Sequence, residues 1–175
     1  MNPGPLSNKR LKLPARVDYG MNLSSARRSL SAIRYAAPST IEDIVGAWGA
    51  GPFDNDDALD WLREFEAEGI QAAGAAIADV LALEGEYLEA PSASRAIAAA
   101  EAVAAASGRP AARLPSELAR WLENHETFQS PELHQNALVA IKRVMVESEL
   151  RDLWADSDKL DTWESTLKDL LGRLG

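Results

Sequence analysis

An all-α fold, a compact bundle of about six helices, is what this sequence predicts, and three observations carry that prediction. Cap residues, helix formers and punctuating Gly or Pro recur in order from Asp54 to the C-terminus. No segment alternates apolar and polar residues over a useful length, and β-branched residues are sparse, with seven Val and seven Ile in 175 residues. Finally, 31 residues are Ala, so the apolar total of 46% describes small side chains that let helices approach closely.

The elements follow in order. Asp54 or Asn55 offers an N-cap, acids fill the first turn, and Gly69 stops the helix. Ala58, Trp61, Leu62 and Phe65 share its inner stripe. A second helix carries Ile70, Ala73, Ile77, Val80 and Leu81 on one face and closes at Gly85. Pro91 and Ser92 open a third, capped by Ser92 or Ser94 and ended by Gly108. Ser116 caps a short fourth, with Leu118, Trp121 and Leu122 inward. Ser130-Pro131 opens the longest segment, about 131–154, and Asp158 opens the last, with Leu160, Trp163, Leu167 and Leu174 along its seam.

Charge divides the chain. Residues 1–44 hold seven basic and three acidic side chains; the remainder holds 11 basic and 24 acidic, a balance of −13. The opening Pro-, Gly- and Lys/Arg-rich stretch reads as a disordered or loosely packed basic N-terminal arm, with a short helix over 24–36 ended by Pro38. It fits a dispensable extension, a transit peptide, or an arm that touches anionic partners or the acidic body. Residues 45–175 read as one helical domain.

Composition removes several classes. Without Cys there is no disulfide scaffold, cysteine nucleophile or thiolate zinc site, which suits a reducing cytoplasm. No apolar run approaches the roughly 20 residues of a membrane span. A pI near 4.7 argues against nucleic-acid binding by the body. No pattern for a cofactor or a resident metal is legible.

Three polar residues stand where apolar ones are expected. On the 131–154 helix the apolar residues cover an arc of about 240°, which suggests a central helix, and Lys142 and Glu149 fall inside it. Glu101 sits in AAAEAVAAA, where a buried carboxylate needs a partner. These three either satisfy one another and nearby backbone, or form an interior acidic pocket. The di-iron pattern of Glu-x-x-His on two helices is absent.

The sharpest motif is GAWGAGPFDNDDALDW, Gly46–Trp61. Trp48 and Phe53 are large apolar groups that must find burial, and Asp54, Asn55, Asp56 and Asp57 crowd a helix start, followed by Asp60 and Trp61. A calcium loop fails on spacing, since Leu59 stands at the glycine position and Phe65 at the terminal glutamate position. A phosphate loop fails because the acids repel the anion and no Gly-Lys-Ser/Thr follows. An N-cap with an aromatic anchor explains the segment, with a divalent ion on Asp56 and Asp60 as the alternative.

This stretch resembles the opening of a bacterial family, the domain of unknown function 4259. Its members begin near Gly-x-Trp-Gly-x-Gly-x-Phe-x-Asn-Asp-x-Ala-x-Asp-Trp, matched here by Gly46, Trp48, Gly49, Gly51, Phe53, Asn55, Asp56, Ala58, Asp60 and Trp61. Tyr87–Pro91, Ala98–Val103 and Ser148–Trp154 also look like the family, so the resemblance covers about 45–175. It implies an all-helical fold and no particular chemistry. Since members usually start at this motif, Val45 is expected to mark an alternative start.

Catalysis has little support, because no Ser-His-Asp arrangement and no nucleotide loop is legible. An acidic cytoplasmic interaction module, such as an immunity or inhibitor protein binding a basic partner, fits better. The alternative is a small metal-dependent enzyme using Glu101, Glu149 and the Asp56/Asp60 pair.

Overall fold

The computed structural model describes residues 47–83 and 85–175. The basic arm at 1–44, the helix expected over 24–36, the boundary at Val45 and the motif's Gly46 lie outside the described residues. Among those described, the chain is helical throughout: α1 (Asp56–Glu68), α2 (Ile70–Ala82), α3 (Ala90–Ala106), α4 (Ser116–Glu123), α5 (Pro131–Val144), α6 (Glu149–Ala155) and α7 (Leu160–Leu174). No membrane-length apolar helix occurs among them.

The centre of the bundle is α3, not the segment at 131–154. It packs against each of the other six helices, and 14 of its 17 residues are buried. Alanine explains the position. A helix surfaced by methyl groups admits neighbours on every side at close range, so dispersion contacts accumulate without long side chains to order. Its start also differs from expectation. Glu89 is the N-cap, without a side-chain bond, and Ser92 and Ser94 lie inside the helix.

The long segment is two helices. α5 ends at Val144, four residues (145–148) turn the chain, and α6 begins at Glu149. Ser148 makes the break in extended backbone (φ −143°, ψ 149°). Its hydroxyl donates to the Val144 carbonyl at 2.7 Å and accepts the Arg151 N–H at 3.0 Å, so one side chain serves both helix ends. Two residues of the supposed apolar arc are accordingly exposed, Val139 by 45% and Val146 by 69%.

The other elements keep their inner stripes, although α2 ends at Ala82, short of Gly85, and α7 opens at Leu160 with Lys159 and not Asp158 as its N-cap. Asn55 caps α1 by accepting the Ala58 N–H at 2.8 Å, and Ala58, Trp61, Leu62 and Phe65 are buried. Gly69 ends α1 at φ +60°, where a Cβ would lie 2.9 Å from the Trp121 ring. Ser130 caps α5 through the Leu133 N–H, with Pro131 at the first helical position. α4 departs slightly: Pro115 precedes it, and Ser116 is its first residue. In α7, Trp163, Leu167, Leu170 and Leu174 are buried, and Trp163 stacks with Trp154 of α6 at 6.3 Å.

Candidate functional site

The glycine motif folds back on its own acid. Trp48 N–H donates to the Asp54 carbonyl at 3.0 Å, and Gly51 N–H donates to Asp54 Oδ2 at 3.0 Å. The Asp54 carboxylate therefore lies against both glycines. A Cβ on Gly51 would stand 2.6 Å from it, and one on Gly49 would also overlap it. Space, more than backbone conformation, demands glycine here. Phe53 is half-buried against the core, but Trp48 is 52% exposed, contrary to the burial expected of it. Backbone pairing of 48 with 54 holds this loop, so the indole is not needed as an anchor. Trp61 is the buried anchor; its indole N–H has no partner among the described residues.

The acids after the cap serve separate tasks. Asp60 pairs with Arg63 at 2.6 Å on the surface. Burial, with Asp56 and Asp60 nearby, raises the Asp57 carboxyl above its ordinary value. No group of three His, Cys, Asp or Glu side chains suited to a metal forms among the described residues.

The interior carboxylates do not converge. Glu101 is fully buried on α3 and meets Arg173 of α7 in a two-pronged bond, Nη1 to Oε1 at 2.7 Å and Nη2 to Oε2 at 2.6 Å. Ala111 N–H adds a third bond to Oε1 at 3.1 Å. Arg173 also donates to Asp169 at 2.8 Å and to the Arg109 carbonyl at 3.2 Å. The Glu101 bonds, joined by Asp169 and opposed by burial, hold the guanidinium above its ordinary pKa. Lys142 is exposed on α5 and is not the partner of either carboxylate.

Glu149 lies at the opposite end of α3. Its Oε2 accepts the Ala90 N–H at 2.9 Å, while its own N–H donates to the Leu88 carbonyl at 2.8 Å. Ala90 and Glu101 are eleven residues apart on one helix, about 16 Å at 1.5 Å per residue, so the two carboxylates belong to different joints. Beside Glu149, Tyr87 donates to Asp152 at 3.1 Å, and Leu88 bridges Ser148. Arg143 completes it by donating to the Val80, Leu83 and Glu86 carbonyls, a cation at the C-terminus of α2. Sequence reading passed over Arg143 and Arg173. A basic residue in a last helical turn is the signal both carried.

A further feature is a surface groove between α1 and α4. Two depressions of about 200 and 170 Å³ share Glu66 and Glu117 on their walls. Leu59, Leu62 and Trp121 supply apolar surface, and Arg63 and Arg120 stand at the edges. Trp121 joins an aromatic series from the core outward, with Phe65 at 5.0 Å and His125 stacked on it at 4.0 Å. The Glu117 carboxyl lies below its ordinary pKa through hydrogen bonds from its own N–H and the Ser116 hydroxyl.

The family model described as domain of unknown function (DUF4259) matches residues 46–166. The chain belongs to the DUF4259 family. No curated protein and no solved structure matches the chain. The stretch matched to DUF4259 contains the glycine motif, the α1–α4 groove and the whole Glu149 joint. Arg173, the partner of Glu101, lies beyond it.

Proposed function

We propose that this chain is a cytoplasmic protein-interaction module of immunity or inhibitor type, which takes an apolar-basic segment of another protein into the groove between α1 and α4. The observation that carries the reading is the groove itself. It joins the apolar surface of Leu59, Leu62 and Trp121 to the carboxylates of Glu117 and of Glu66, the latter paired with Arg120 at 3.8 Å. It does so on a body with 24 acidic against 11 basic side chains beyond residue 44. An aromatic floor gives a partner side chain a place to bury, and the surrounding negative field raises the rate at which a basic partner arrives.

The competing reading, a small metal-dependent enzyme, depends on free interior carboxylates. That reading also draws on the Asp56/Asp60 pair; with Glu101 bonded to Arg173, Glu149 to the Ala90 N–H and Asp60 to Arg63, these three groups already have partners, which favours the interaction reading.

Capture from lysate of the source cell tests the proposal, with wild type and the Glu66→Lys/Glu117→Lys variant as baits. A basic protein held by wild type at low salt, released at about 0.5 M salt where screening is short-ranged, and not held by the variant, is the expected result. The same proteins on both baits would overturn it.

A further inference from the structure

Arg120 is held loosely in the α1–α4 groove. Its Nη1 stands 3.8 Å from Glu66 Oε1, beyond hydrogen-bond reach, on a side chain 65% exposed. Asp60 and Glu64, on the same helix as Glu66, meet their arginines at 2.6 and 2.7 Å. One turn back on α4, Glu117 takes its bonds from its own N–H and the Ser116 hydroxyl, and Arg120 acts on it only through space. Both carboxylates stand on the walls of both depressions, with Leu59 and Leu62 lining one and Trp121 the other. Two carboxylates therefore share one weakly paired guanidinium and keep acceptor sites open. A planar guanidinium carries five N–H donors in a fixed fork and can bond two carboxylates at once, where an ammonium supplies a point charge.

We propose that Arg120 is a stand-in for an arginine of the partner, which takes Glu66 and Glu117 together, displaces Arg120 and lays its methylene stem along Leu59 and Leu62. This selectivity rests on the groove being the binding site proposed above. Charge complementarity chooses the occupant, since open carboxylate acceptors on an acidic body favour a cation with several donors. Arg120 competes with that cation for the same oxygens, so its removal strengthens binding, the opposite of losing a contact residue.

NMR titration of the isotope-labelled full chain tests this, with acetyl-Leu-Arg-Leu amide and its citrulline and lysine counterparts as probes. The arginine peptide is expected to shift the amides of Leu62, Glu66 and Glu117, and the uncharged citrulline peptide to bind about tenfold more weakly. Arg120→Gln, at an exposed position, is expected to bind the arginine peptide about two- to fivefold more tightly than wild type. Glu117→Gln is expected to bind it more weakly. Unchanged or weaker binding by Arg120→Gln would overturn the stand-in role and leave the groove as the binding site. Equal binding of the citrulline or lysine peptide would overturn the selection of arginine. Groove shifts on concentrating the chain alone would make a second copy the occupant and overturn the proposal too. So would the absence of groove shifts with every peptide, and the lysate capture then decides separately whether the groove binds a protein.

Discussion

The Glu149 carboxylate accepts the N–H of Ala90 at 2.9 Å, capping from 59 residues away a helix whose own N-cap supplies no side-chain bond. The same residue's N–H returns a bond to Leu88. The joint thus fixes the entry of the central helix and the start of α6 together. Glu149→Ala is expected to cost about 1–3 kcal/mol, since it strands a partly buried donor. Glu149→Gln, which keeps an amide oxygen for Ala90, is expected to retain most of that. Urea denaturation of the two variants checks the order.

The glycine turn yields to crowding. Gly51→Ala places a methyl against the Asp54 carboxylate, and an overpacking cost of about 1–3 kcal/mol is expected. Asp54→Ala removes the obstacle together with its bond to Gly51 N–H. In the double variant the two losses are therefore expected to sum to less than their separate values. Thermal unfolding of the four proteins measures the coupling.

The motif's two tryptophans separate into different roles. Trp61 is 1% exposed and packs on Phe65 with ring centres 5.5 Å apart. Trp61→Ala is expected to lose about 3–5 kcal/mol through the cavity it leaves. Trp48→Ala is expected to stay within about 0.5 kcal/mol of wild type, as surface substitutions usually do. Denaturant midpoints of both variants distinguish them.

Helix identity was legible wherever caps and inward stripes are local in sequence, as with Asn55 and the Ala58–Phe65 stripe, or Ser130 and Pro131. The break after Val144 was missed because apolar residues run through it. Ser148, with Glu149 and Asp152 in the following turn, nevertheless carries an ordinary cap signal. Centrality went to the wrong helix because a wide apolar arc looks buried, whereas Ala-rich α3 achieves burial through small size. The carboxylates were recognised as needing partners, but those partners lie 72 residues on for Glu101 and 59 residues back for Glu149. Periodicity within one helix says nothing about contacts at that separation.

The buried Glu101 carboxylate is structural, and Arg173 satisfies it. A double-mutant cycle on Glu101→Met and Arg173→Met tests this most directly, with stability read from urea denaturation. Arg173→Met alone leaves a carboxylate with its side chain 1% exposed and without its cation, and a loss of about 3–5 kcal/mol is expected. The double variant, with both charges removed, is expected to recover most of it. Single variants within about 0.5 kcal/mol of wild type, with effects that simply add, would contradict the account.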